Sequence, residues 1–269
     1  MRKILLLVLI SYSCFGQRQA MECSIGCNAV ITACGATSLS TRPALNDIRN
    51  WNQFMNGEQA LSQLANDVYV FDFAATTGSS YLVNLVGIHS FCVNVNSCRH
   101  VADSGIAGNG SNSYVKTPAS LQVTASLNNQ FMTTLFMGSG ATHAENGGGY
   151  FDGVPTNLIV DASLTGITVF INDNTGFAYS GTNVYPILAT GYRTTSTTSN
   201  IVYNYTVVKS GAATSTIVNP NQPLAYGCYN SNGTFTTFGT DMMACGIDGT
   251  AVGMSWVQLY KDCQYFTRK

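Results

Sequence analysis

Charge is the scarcest commodity in this 269-residue chain. Lys and Arg number 12, Asp and Glu 13, and together they make 9% of the sequence, against about 25% in an average soluble domain. A face built to neutralise nucleic-acid phosphates needs clustered Lys and Arg, so no nucleic-acid partner is expected. An acidic or basic disordered tail is excluded on the same ground. Histidine is nearly as scarce: His89, His100 and His143 are all there are. Nucleophile schemes that need an imidazole base therefore have three candidates at most. Tryptophan occurs only as Trp51 and Trp256. After the first few residues no apolar run reaches the ~20 residues that span a bilayer, so no membrane span is expected.

What replaces the missing charge is small and neutral. Thr (29), Gly (26), Asn (24) and Ser (24) supply 103 of the 269 residues, while hydrophobic residues stand at 45%. The chain keeps enough apolar material for a core and coats it with hydroxyls and amides.

The N-terminus has the order of a secretory leader, with Arg2 and Lys3, then the apolar Ile4–Ile10, then small and polar residues to Gly16. Cleavage after Gly16 is expected, which makes residues 1–16 a signal peptide and the protein secreted and extracellular. It also removes Cys14 and leaves eight cysteines: Cys23, Cys27, Cys34, Cys92, Cys98, Cys228, Cys245 and Cys263. In an oxidising compartment an even number predicts four disulfides, with 105 possible pairings. The spacing of Cys23, Cys27 and Cys34, with no histidine beside them, does not predict a metal site. Asn109, Asn204 and Asn232 head N-glycosylation sequons.

Leu45, Ile48, Met55, Leu61 and Leu64 recur at helical spacing, so a helix broken near Asn56–Gly57 is expected over Pro43–Asp67. Beyond it the pattern is of strands. Val68–Phe73, Ser80–Cys92, Ser120–Met137, Leu158–Asp161, Gly166–Asn172, Asn183–Tyr192, Ile201–Val208, Gly233–Phe238 and Val252–Tyr260 are rich in β-branched and aromatic residues. Asp173–Gly176, Asn219–Asn221 and Asp248–Gly249 supply turns. The expected fold is mainly β, a β-sandwich or jelly roll, with a short helical, cysteine-containing N-terminal region.

The expected organisation is a Cys-rich region over 17–103, a Gly/Ser/Asn-rich linker or long loop over 104–118, and a β-rich region over 119–269. Five mature cysteines precede Ser104 and three follow it. Both counts are odd, so complete pairing requires at least one disulfide to cross the segment.

Catalytic patterns are weak. Ser139 and Ser104 lie in Gly-containing segments that fall short of a nucleophile elbow. His100, Asp103 and Ser104 cluster within five positions, whereas working triads are assembled from distant parts of a fold. Asp103-Ser104-Gly105 has no second copy to form an aspartic dyad. His143 and Glu145 sit in a Gly-rich stretch and supply two ligands where a metal site needs more. No cofactor and no metal are expected. The sequence reads as a secreted, disulfide-stabilised, non-enzymatic recognition, adhesive or host-defence module whose partner is an extracellular protein or a carbohydrate. The alternative is a secreted hydrolase whose catalytic residues meet only in the fold.

Overall fold

The computed structural model describes residues 65–71, 93–101, 104–120, 128–138, 149–152, 156–172, 176–214, 223–231 and 233–267. These form seventeen strands and one helix, so the chain is mainly β. The strands are β1 (Ala65–Val70), β2 (Val93–Val95), β3 (Arg99–Val101), β4 (Gly105–Ala107), β5 (Tyr114–Ser120), β6 (Gln130–Gly138), β7 (Gly149–Asp152), β8 (Thr156–Ser163) and β9 (Gly166–Ile171). They continue as β10 (Phe177–Ser180), β11 (Ile187–Arg193), β12 (Thr198–Tyr203), β13 (Thr206–Ala212), β14 (Pro223–Tyr226), β15 (Tyr229–Ser231), β16 (Thr234–Thr236) and β17 (Met242–Gly249), and the helix α1 spans Trp256–Thr267.

The strands form two sheets. One has eight strands in the order β13-β12-β11-β6-β17-β4-β3, with β1 also on β17. The other has nine, in the order β10-β9-β8-β7-β14-β5-β2, with β15 on β7 and β16 on β15. The described pairings are antiparallel except the single β7–β15 contact. Alternation sets the core. In β9, Ile167, Val169 and Ile171 are buried while Gly166, Thr168 and Phe170 are half-buried, the period-2 signature of a strand with one face inward. Met132 and Phe136 of β6, Ile187 and Ala189 of β11, and Ile201 of β12 meet Val160, Ala162, Val169 and Tyr226 of the opposite sheet in one buried cluster. Two facing sheets around one core make a sandwich.

A register shift on β17 between Met243 and Cys245 changes which residues face that core. Met243 packs into it, and so does the backbone at Gly246, where an added Cβ would lie 2.2 Å from the Tyr226 ring. Cys245 and Ile247 then point to the other side of the sheet, with their β6 partners Leu135 and Thr133. That outer side carries α1. The Trp256 ring meets Phe131 edge-on with centroids 5.7 Å apart and Tyr192 at 4.7 Å, and Leu259 and Cys263 are fully buried.

Among the described residues, Arg193 is the largest fully buried side chain. Its Nε donates to Ile171 O (2.8 Å), one terminal nitrogen to Ser196 O (3.0 Å) and Ala213 O (2.7 Å), and the other to Ser199 Oγ (3.0 Å). One guanidinium thus closes the end of β9, the β11–β12 turn and the residue after β13.

Several expectations change here. Val252–Tyr260, expected as a strand, contains the start of α1. Ser255 caps it, with Gln258 N donating to Ser255 Oγ (3.3 Å), and Trp256, Leu259, Tyr260 and Cys263 recur at helical spacing. Asp248–Gly249, expected as a turn, ends β17 and is buried. Residues 65–67, expected at the end of a helix, belong to β1, while the rest of Pro43–Asp67 and the cysteine-containing N-terminal region lie outside the described residues. The segment 104–118, expected as a linker or long loop, holds β4 and most of β5. Gly105 (φ +120°) is there because β4 runs close to β17: an added Cβ would lie 1.9 Å from Met243 O.

Candidate recognition surface

The outer face of the nine-stranded sheet carries a group of aromatic side chains. On β5, Val115 points to the core, so Tyr114 and Lys116 point away from it. Their cross-strand partners are Val95 and Val93 on β2, and Ala225 on β14 lies opposite Lys116. The β15–β16 hairpin folds back and sets Phe235 on Tyr114, with ring centroids 4.3 Å apart and planes 19° apart. Phe238 adds a third ring 6.0 Å from Tyr114, and the Lys116 ammonium lies 5.7 Å from the Phe235 centroid. Tyr114 is 9% exposed. Val95, Phe235 and Phe238 are partly buried around it, and Val93 is 54% exposed. Burial, and then neighbouring Cys228, raise the Tyr114 phenol above its ordinary pKa.

One end of this patch is bordered by ordered amides. After β2 the chain turns through Asn96 (φ +53°) and Ser97 (φ +60°). Asn94 clamps the turn, its Oδ1 accepting from Cys98 N (2.7 Å) and its Nδ2 donating to Cys98 O (3.2 Å). Asn96 Nδ2 donates to Asn112 O (2.9 Å), which joins this turn to the β4–β5 loop. In that loop Asn109 Oδ1 accepts from the amides of Ser111 (2.9 Å), Asn112 (2.9 Å) and Ser113 (3.0 Å). Asn96, Ser97, Asn109, Ser111, Asn112, Thr234 and Thr236 are exposed. The patch therefore offers ring faces, amides and hydroxyls with one cation.

The sequence-predicted sites fall as follows. Asn109 is exposed, and its Nδ2 donates to Asn112 Oδ1 (2.9 Å). Asn204 occupies the two-residue β12–β13 turn at φ +58°, and its Oδ1 accepts from Leu188 N (3.0 Å). Asn232 lies outside the described residues, as do Cys23, Cys27, Cys34 and Cys92. Cys98, Cys228, Cys245 and Cys263 are all buried, and no disulfide joins any two of them. His100 stands on β3 at the edge of the eight-stranded sheet, and Ser104 N donates to Val101 O (3.1 Å) in the β3–β4 turn. Asp103, His89, His143 and Glu145 lie outside the described residues. Among the described residues no three His, Cys, Asp or Glu gather where they could hold a metal ion, and no helix is long and apolar enough to cross a membrane.

One acidic grouping was not anticipated. Burial, then Asp241 and Asp161, push the Tyr185 phenol up to about 12, so it stays protonated at neutral pH and suits hydrogen-bond donation rather than nucleophilic attack.

No family model matches the chain, and neither does any curated protein. Solved structures do. A mutant of Trypanosoma rangeli sialidase displaying trans-sialidase activity matches with a TM-score of 0.53 at 11% identity, over 82% of this chain and 39% of that one. The binding domain of Paraclostridial Mosquitocidal Protein 1 matches with a TM-score of 0.55 at 7% identity, over 77% and 56%. The HCR/D F1240A mutant matches with a TM-score of 0.54 at 7% identity, over 75% and 52%. The chain spans well under two thirds of each of these proteins, and at such identities the likeness is one of fold alone.

Proposed function

We propose that this chain is a secreted recognition protein that binds neutral carbohydrate on the outer face of its nine-stranded sheet. The observation that carries the reading is the aromatic cluster in which Phe235 stacks on buried Tyr114 and Phe238 tilts against it, with Phe235 and Phe238 half-buried and bordered by exposed asparagine and threonine side chains. Sugars present C–H faces that pack on aromatic rings and hydroxyls that exchange hydrogen bonds with amides. The formal net charge of −1 and the 9% charged residues favour an uncharged ligand over a polyanion. Among the neighbours in fold, one is titled a binding domain and another is a sialidase in complex with 2,3-difluorosialic acid, a carboxylated sugar, so they support carbohydrate recognition in general and not the uncharged character of the ligand.

Secretion is supported by Arg2 and Lys3 ahead of the apolar Ile4–Ile10. It brings with it the expectations of four disulfides and of glycans at Asn109, Asn204 and Asn232. The test of binding is titration against a panel of neutral oligosaccharides. Phe235→Ala is expected to weaken the best binder about tenfold or more, with a fall in thermal midpoint of only a few degrees as its stacking on Tyr114 is lost. Equal affinity of wild type and variant for every sugar would reject the site.

A further inference from the structure

We infer that Cys98 and Cys228 form a disulfide that braces the aromatic patch from beneath. β2 and β14 flank β5 on either side, and Asn94 and Tyr226 are both cross-strand partners of Val115. Each strand then runs on to a buried cysteine at the same end of β5. Cys98 is held to Asn94 by two hydrogen bonds, and its side chain is hydrogen-bonded to Ser113, the residue before Tyr114. Cys228 follows the positive-φ Gly227 and packs with Tyr114 and Ala225. The cysteines are therefore anchored at Ser113 and Tyr114, where β5 begins. Burial, then neighbouring Cys98, raise the Cys228 thiol. Of the other described cysteines, Cys245 stands on β17 of the eight-stranded sheet and Cys263 on α1.

The pairing satisfies the odd cysteine counts on either side of Ser104, since it is a bond that crosses that point. It needs an oxidant of the disulfide class: each thiol gives up its proton, the S–S bond forms, and two electrons reduce the oxidant's disulfide to two thiols. In the cell that oxidant depends on the secretory reading proposed above. The test therefore uses both secreted protein and full-length protein refolded with oxidised glutathione, and it is read without any sugar.

The readout is proteolysis without reduction, after alkylation in denaturant. The expected result is one peptide pair joining Cys98 to Cys228 that separates on reduction. Cys98→Ser should make Cys228 the single new alkylated position, and the Cys98→Ser/Cys228→Ser pair should add none. A bond from Cys98 to any other cysteine, alkylation of both in the refolded wild type, or a different position becoming labelled in Cys98→Ser would overturn the inference. If the bond forms on refolding but the chain is not exported, only the secretory reading fails.

Discussion

At the scale of single residues, Arg193 and Asp262 show on what terms this chain buries charge. Arg193 has donors matched to carbonyls and a hydroxyl from four segments. Arg193→Met would leave several buried acceptors unpaired, and a loss of about 3 kcal/mol or more is expected in urea unfolding. Arg193→Lys would also destabilise, because an ammonium cannot span the fork. Asp262 on α1 is 1% exposed and takes one hydrogen bond, from Gln258 Nε2 at 2.8 Å. Burial first pushes its carboxyl up to about 6, against the lowering effects of Gln258 and Lys261. Its folded pKa thus exceeds its unfolded one, so the folded state binds the proton more tightly. Asp262 then favours folding most below about pH 4, and this contribution falls as pH rises towards 6. Asp262→Asn should raise stability at pH 7 and flatten the pH dependence between 4 and 6. Urea midpoints at pH 4, 5, 6 and 7 check both.

At the scale of elements, the strands legible in the sequence were those rich in β-branched and aromatic residues. Ile167-Thr-Val-Phe-Ile and Ile201-Val-Tyr carry that enrichment in themselves, and the structure places β9 and β12 there. β17 was missed because Met242–Gly249 is buried almost throughout and holds two glycines, so it shows neither alternation nor β-branched enrichment. Its place between β6 on one side and β4 and β1 on the other explains both features. β4 was hidden by glycines that read as slack but serve close approach. Gly105→Ala is expected to break the β4–β17 pairing, and faster amide hydrogen exchange at Ile106 would show it. α1 was hidden by Val252 and Val257, although Ser255 and the spacing of Trp256, Leu259 and Cys263 were visible. Trp256→Ala should cost about 3 kcal/mol by emptying the space over Phe131 and Tyr192, with the loss measured by chemical denaturation.

At the scale of the whole molecule, a mainly β fold of two facing sheets followed from composition and strand pattern, but the location of a binding face did not. Tyr114 and Phe235 are far apart in sequence, and neither stands in a motif. They meet only because β5 crosses the nine-stranded sheet and the β15–β16 hairpin doubles back onto it. The sequence could say that many rings were present; which rings stay outside the core depends on register, fixed here by Val115 facing inward. The three sequons and the even cysteine count were legible as chemistry without geometry, and the register at Val115 is what brings Cys98 and Cys228 to the same end of β5.

The central claim is that the outer face of the nine-stranded sheet recognises sugar. Its most direct test is isothermal titration of the best neutral oligosaccharide into wild type, Phe235→Ala and the distant surface variant Val184→Ala. The account predicts that Phe235→Ala alone loses about tenfold or more in affinity, with all three proteins equally folded by circular dichroism. Unchanged affinity in Phe235→Ala, or equal losses in both variants, would contradict it.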